Sequence, residues 1–136
     1  MNLQHAQEFL RSNPRGVLAT FRADGRPQLS PVLGAVDDAG HVMISTRETA
    51  MKTRNLRHDP RVSLLVMSEA FFGDWVQVEG EAEIISLPEA MEPLIDYYRR
   101  VGGEHPSWDD YRAAMQQEQR VIVRFAITRA GPDVSG

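Results

Sequence analysis

The sequence contains no cysteine and no long hydrophobic run, and each absence excludes a class of protein. Without cysteine, the chain forms no disulfides, thiolate zinc sites or cysteine-ligated iron–sulfur clusters. No segment approaches the roughly 18 apolar residues that a membrane-spanning helix requires. Residues 1–5 also lack the basic and apolar regions of a signal peptide. We therefore expect a cytoplasmic protein with no membrane partner.

Charge of neither sign predominates strongly, but basic residues are concentrated in one segment. The 136 residues carry a net charge of −4, which argues against a nucleic-acid partner. Residues 47–61 nevertheless contain five basic side chains and only two acidic ones. A basic segment within an acidic protein indicates local capture of a small anion. A solvated helix face would have the same composition, so the segment alone does not distinguish the two.

Recognisable catalytic and metal-binding motifs are also missing. The four histidines are far apart in sequence and show none of the paired spacings of a metal-binding helix, so no metal site is expected. There is no Gly-x-Ser-x-Gly nucleophile motif and no glycine-rich nucleotide loop. The sequence therefore identifies no catalytic residue.

The chain length suits a single domain over residues 1–136. Apolar alternation and turn residues predict six strands joined mostly by short connections, which favours a mainly β, six-stranded antiparallel barrel with peripheral helices. Residues 130–136 are expected to form a flexible tail. The predicted strands are 16–22, 26–36, 41–46, 62–67, 75–85 and 120–127, and the predicted helices are 2–12, 48–57, 88–101 and 109–117.

The most informative segment lies between the third and fourth predicted strands. The third strand ends in two hydroxyl residues, Ser45 and Thr46, followed by Arg47 and by a helix that contains Lys52. Hydroxyls, a helix start and cations in close succession favour a phosphate-binding pocket. Lys52 is the only lysine beside fourteen arginines, which suggests a site suited to a compact charge. A lysine on an exposed helix face, or a Schiff-base lysine for pyridoxal phosphate, remains an alternative.

Four segments in the same order resemble a known family. They are Gly25–Val32, Ser45–Leu64, Val78–Ala82 and Tyr98–Met115. Together they resemble the pyridoxamine 5'-phosphate oxidase-like superfamily of FMN-binding split β-barrels. Within it they are most similar to the actinobacterial branch that uses the deazaflavin coenzyme F420.

The resemblance implies a homodimer with two cofactor sites at the subunit interface. It implies that Ser45 and Lys52 hold the cofactor phosphate beside Thr46 and Arg47. Ala50 replaces a serine or arginine frequent in relatives, so one phosphate contact is either missing or supplied by Arg47. The remaining candidate positions are Arg26, Gln28 and Ser30 lining the cofactor, Pro31 and Val32 bordering its ring, and Trp75 and Val76 of the neighbouring subunit.

The activity implied by the resemblance is F420-dependent hydride transfer to a small electrophilic organic substrate. The product would be protonated by water, Tyr98 or His105. One alternative is an FMN-binding oxidase or reductase of the same fold. Another is a non-catalytic cofactor-binding protein. The phosphate pocket alone does not discriminate among them, because F420 and FMN both carry a phosphate beyond a ribityl chain.

Overall fold

The computed structural model describes residues 1–133, which form a curled antiparallel sheet flanked by four helices. The strand order along the sheet is β2-β1-β5-β6-β7-β4-β3, and β8 pairs with β6. The strands are β1 (Arg15–Phe21), β2 (Pro27–Leu33), β3 (Ala35–Val36), β4 (Val42–Arg47), β5 (Arg61–Met67), β6 (Trp75–Ile85), β7 (Arg120–Phe125) and β8 (Arg129–Gly131). The helices are α1 (Leu3–Ser12), α2 (Met51–His58), α3 (Met91–Gly102) and α4 (Trp108–Gln117).

Two glycines mark the places where a strand changes its partner. Gly34 separates β2, which pairs with β1, from β3, which pairs with β4. Because β2 and β3 lie at opposite ends of the strand order, this single residue brings the two ends of the sheet together. In β6, residues 75–81 pair with β5 and residues 82–85 pair with β7. Gly80 lies at this change, as expected for a barrel bend.

The prediction of six strands was wrong, because residues 1–133 contain eight. The predicted strand 26–36 is divided at Gly34 into β2 and β3, since its two halves pair with different neighbours. The eighth strand falls in the predicted flexible tail, where Ala130 and Gly131 pair with β6. Backbone pairing places these two residues in a strand, and the flexibility of the tail stays a prediction. Residues 134–136 of the predicted tail lie outside the described residues.

Two hydrophobic clusters occupy the opposite faces of β4 and β7. Ile44 and Val123 belong to the barrel interior, which also contains Leu18, Leu64 and Phe125. Met43 and Ile122 point to the other side, where α3 and α4 pack. This alternation follows from the two-residue period of a strand, and it makes β4 and β7 a wall between two packed layers. Within residues 1–133, no helix is both long enough and apolar enough to cross a membrane.

Candidate functional site

A cavity of about 540 Å³ lies where β4 ends and α2 begins, beside β1 and β2. Its size falls within the range of small-molecule and cofactor sites. It is lined by hydroxyl and cationic side chains at one part and by apolar residues at another. The lining residues are Arg15, Gly16, Pro31, Val32, Leu33, Ser45, Thr46, Lys52 and Arg120.

The start of α2 places Lys52 in the first helical turn. The helix begins at Met51, three residues later than predicted, because residues 48–50 form a turn in which the Ala50 N–H donates to the Arg47 carbonyl at 3.1 Å. Thr53 is buried and its Oγ1 donates to the same carbonyl at 2.6 Å, which ties the helix to the end of β4. Ala50 provides no side-chain cap, so the first N–H groups of α2 have no capping side chain. The positive end of the helix therefore adjoins Lys52.

Two cations face the same cavity. Burial lowers the pKa of Lys52 below its ordinary value, and the nearby positive charge of Arg120 lowers it further. Among residues 1–133, Lys52 forms no ion pair and no side-chain hydrogen bond. A partly buried cation without a counter-charge, such as Lys52, is costly, and a bound anion would offset that cost. The residues present therefore fit a phosphate group.

Arg120 is held in place by an acidic residue outside the cavity lining. The Glu118 carboxylate accepts from Arg120 Nη2 at 2.8 Å and from Arg47 Nη2 at 3.2 Å. These hydrogen bonds, the one from Arg120 foremost, hold the pKa of Glu118 below its ordinary value. Glu118 therefore remains ionised at neutral pH and fixes the position of Arg120. Arg47 is directed to this ion pair and does not line the cavity.

The apolar part of the cavity is formed by β1 and β2. Pro31, Val32 and Leu33 line it beside Gly16, which pairs with Val32. The preceding residue, Ser30, has a buried Oγ for which the described residues supply no hydrogen-bond partner. An unpaired buried hydroxyl is unfavourable, but Ser30 does not line the cavity.

Of the residues predicted from sequence, the structure brings Pro31, Val32, Ser45, Thr46 and Lys52 together in the cavity wall. The other six do not line it. Their roles in binding remain predictions.

Two of these six are on the hairpin that joins β1 and β2. Arg26 is exposed in the turn and pairs with Asp24 at 2.8 Å. Gln28 accepts a hydrogen bond from the buried Thr20 hydroxyl at 3.4 Å, and Asn55 of α2 donates to that hydroxyl at 3.0 Å. Gln28 therefore belongs to a polar network beneath α2.

Trp75 and Val76 lie at the start of β6, away from the cavity. Trp75 is half-buried opposite Met67 in the β5–β6 pairing. Val76 is 2% exposed and packs into the barrel interior, so its side chain is not accessible to a ligand of another subunit.

Four lining residues escaped the sequence analysis: Arg15, Gly16, Leu33 and Arg120. Arg120 is the most consequential. Its position depends on the pairing of β7 with β4, where Arg120 is opposite Arg47. The basic composition of residues 47–61 gave no signal for a cation in a strand at the other end of the chain. A predicted pairing of the first residue of β7 with the last residue of β4 would have identified it.

Comparison with known proteins agrees with this fold. Residues 3–131 match the family model described as pyridoxamine 5'-phosphate oxidase. The structure is similar to that of the conserved hypothetical protein Rv2991 from Mycobacterium tuberculosis, with 30% identity and a TM-score of 0.77 over 100% of this chain and 92% of that one.

Two further solved structures are similar. One is an F420 reductase, with 26% identity and a TM-score of 0.69 over 91% of this chain and 94% of that one. The other is HupZ of Group A Streptococcus, which at 14% identity and a TM-score of 0.70, over 100% of this chain and 97% of that one, shows the fold alone. The chain therefore belongs to the pyridoxamine 5'-phosphate oxidase family of split β-barrel proteins.

Proposed function

We propose that this protein acts in the cytoplasm as an F420-dependent oxidoreductase on a small electrophilic organic substrate. The observation that carries the proposal is the cavity in which Lys52 and Arg120 converge beside Ser45 and Thr46. Membership in the family supports an oxidoreductase with a flavin-type cofactor. The similarity to an F420 reductase over most of both chains favours the deazaflavin.

In this proposal the cationic part of the cavity binds the phosphate of the cofactor. Lys52 and Arg120 supply opposite charge, and Ser45 and Thr46 supply hydroxyl donors. Glu118 keeps Arg120 directed at the phosphate. Charge-assisted contacts of this kind fix the position of one end of a ligand, and thereby the orientation of the rest.

The apolar part of the cavity borders the ring system. In this proposal Pro31 and Val32 exclude water from one ring face. When bound in reduced form, the deazaflavin supplies a hydride from C5 to the substrate. Among the described residues no carboxyl, phenol or imidazole group lines the cavity, and in this proposal Lys52 is engaged by the phosphate, so a solvent proton completes the reaction. Arg26 and Gln28 are proposed to contact the cofactor only where a second subunit completes the site.

A homodimer is part of the proposal. The outward face of β2 carries Leu29, Pro31 and Leu33, and Leu29 is 62% exposed. Leu33 also lines the cavity, and the exposed Met51 lies in the first turn of α2 next to Lys52. A second copy on this apolar surface would bury it and enclose the cofactor, with Trp75 of the partner near the ring. We expect sedimentation to give twice the 15.3 kDa chain mass; a monomer at micromolar concentration would contradict the shared site.

FMN is the alternative cofactor, because its phosphate would fit the same cationic part of the cavity. The non-catalytic alternative is a protein that binds a cofactor in this cavity and only carries it.

Titration of the apo-protein with F420 and with FMN separates these proposals. We expect fluorescence to report tighter binding of F420 than of FMN, and the reverse order would refute the F420 assignment. Adding enones or quinones to the complex with reduced cofactor then tests for catalysis. Reoxidation faster than in a protein-free control identifies an enzyme, whereas an unchanged rate identifies a carrier.

A further inference from the structure

Tyr97 of α3 makes a hydrogen bond that none of the roles assigned above explains. Its hydroxyl donates to the Leu33 carbonyl at 2.9 Å, although the two residues are 64 positions apart in the chain. Leu33 lines the cavity, whereas Tyr97 does not. Tyr97 packs with the hydrophobic cluster under α3 and α4. The hydrogen bond therefore joins the helical layer to the apolar part of the cavity wall.

The strand register explains why the Leu33 carbonyl can accept this bond. The Gly34 N–H donates to the Pro14 carbonyl at 2.7 Å, on the side of β1. Backbone groups of successive residues in an antiparallel strand point to opposite sides of that strand. Leu33 therefore directs its N–H and its carbonyl away from β1, towards the side on which β4 lies.

Ser45 of β4 lies where the next backbone partner of Leu33 would be. In the β3–β4 ladder, Ala35 pairs with Met43. Continuing that antiparallel register by two residues would place Leu33 opposite Ser45. The ladder ends before it reaches this pair, because β2 pairs with β1 instead. The next rung of the ladder, a backbone hydrogen bond between Ser45 and Leu33, is thus missing from the described residues.

The Tyr97 hydroxyl occupies the place of this missing rung. Burial raises the pKa of Tyr97 above its ordinary value, and a backbone hydrogen bond from Ser45 and the positive charge of Arg120 oppose that rise. Only a donor stabilises a phenolate, so the Ser45 group is its N–H. One hydroxyl therefore accepts from Ser45 on β4 and donates to Leu33 on β2, and it replaces the direct bond between the two strands.

The inserted hydroxyl lies between the two parts of the cavity. Leu33 belongs to the apolar part, and Ser45 belongs to the part that contains Lys52. A direct rung would bring the two strands to the usual spacing of about 4.8 Å. An oxygen atom between them keeps the strands further apart, and the cavity opens at this separation.

We propose that Tyr97 is a positioning residue that sets the spacing between the two parts of the cavity. Its hydroxyl, inserted between β2 and β4, holds the apolar wall at a fixed distance from the phosphate-binding wall. Tyr97 acts through Leu33 and Ser45, because it does not line the cavity itself. The inference rests on the proposed function for the identity of the ligand that spans both parts.

The first test uses the ligand-free protein. Tyr97→Phe keeps the aromatic ring and removes only the oxygen, so the Ser45 N–H loses its acceptor. We expect amide hydrogen exchange of Ser45, followed by NMR, to become at least about tenfold faster. Tyr111→Phe is the matched control, because it removes a phenol that donates to the Leu94 carbonyl at 2.8 Å and does not line the cavity. Unchanged Ser45 exchange in Tyr97→Phe, or equal acceleration by both variants, would overturn the inference.

The second test compares ligands that occupy one part of the cavity with ligands that span both. Inorganic phosphate would contact only the cationic part, whereas F420 and FMN would span the two parts. We expect Tyr97→Phe to weaken both cofactors about fivefold to tenfold and to leave phosphate affinity within about twofold. The reason is that altered spacing affects only a ligand held at both ends. Tyr111→Phe should leave all three affinities unchanged.

Fluorescence titration gives the cofactor affinities, and amide NMR titration gives the phosphate affinity. Equal weakening of all three ligands by Tyr97→Phe would indicate a merely structural role and would overturn the inference. Unchanged affinity for both cofactors would also overturn it.

The two tests separate this inference from the proposed function. If the unmodified protein bound neither F420 nor FMN, the proposed function would be refuted, and the Ser45 exchange rates would still decide whether the Tyr97 hydroxyl is inserted between the strands. If the unmodified protein bound F420 and Tyr97→Phe bound it equally well, the positioning role alone would be refuted.

Discussion

Replacing Lys52 by alanine is expected to weaken F420 binding about 5-fold to 150-fold, which corresponds to a loss of about 1–3 kcal/mol of binding free energy. Lys52 is partly buried, adjoins Arg120 and has no counter-charge among residues 1–133, so a bound phosphate is the partner that its position lacks. Fluorescence titration of the purified variant measures the effect. The same variant should also weaken the binding of FMN, because both cofactors would place a phosphate beside Lys52.

Arg54→Ala is the matched control for Lys52→Ala. Arg54 is on the same helix, and its replacement by alanine removes the same charge. Unlike Lys52, Arg54 is exposed and does not line the cavity. We expect the cofactor affinity of the Arg54→Ala variant to remain within about twofold of that of the unmodified protein, as is usual for a solvated surface charge. Equal effects of the two variants would show that only the general positive field of α2 matters. No effect of Lys52→Ala would assign this lysine to the solvated surface of the helix.

Gly80→Ala is expected to destabilise the fold by about 2–4 kcal/mol. A Cβ atom at position 80 would lie 2.4 Å from the Ala126 carbonyl oxygen and 2.9 Å from a Phe125 ring carbon. Backbone cannot yield as a flexible side chain does, so β6 would have to move away from the end of β7. Urea unfolding followed by circular dichroism gives the change in the free energy of unfolding.

Gly34→Ala provides the comparison for Gly80→Ala, because Gly34 also lies where the chain passes between sheet partners. Its added Cβ would meet Leu64 at 3.6 Å and Val42 at 3.7 Å, which are ordinary contacts, and its φ is not in the left-handed region. We expect a change of less than about 1 kcal/mol, with a gain possible because alanine reduces the entropy of the unfolded chain. Similar losses for both variants would show that any side chain is harmful at a bend, irrespective of space.

Local features of the sequence predicted much of the fold and part of the site. Alternation of apolar residues placed the long strands within a few residues of their observed bounds, because one face of each strand packs against the interior. The short connection between the first two predicted strands was confirmed, since β1 and β2 pair as a hairpin in which Gly25 adopts a φ of +86°. Ser45, Thr46 and Lys52 lie within a segment of eight residues. Predicting a strand end followed directly by a helix start was therefore sufficient to place them near one another.

The rest depended on contacts between residues that are far apart in the chain. The division of residues 26–36 at Gly34 followed from two different pairing partners, which no local pattern reveals. Arg120 reached the cavity because β7 pairs with β4, and Tyr97 came to lie between Leu33 and Ser45 because the chain passes from β2 to β4 at Gly34. Conversely, Trp75 and Val76 were placed away from the cavity by the packing of β6.

The sequence by itself indicated the family, through the resemblance of four segments in order, and the short segment that carries Lys52, because both are features of neighbouring residues along the chain. Only the tertiary structure decided that a second cation faces Lys52, that Glu118 holds that cation, and that Tyr97 lies between two strands of the cavity wall. The physical reason is that strand pairing and the closure of the sheet set the distances between residues remote in sequence. The electrostatics of a site depend on those distances and on the burial that accompanies them.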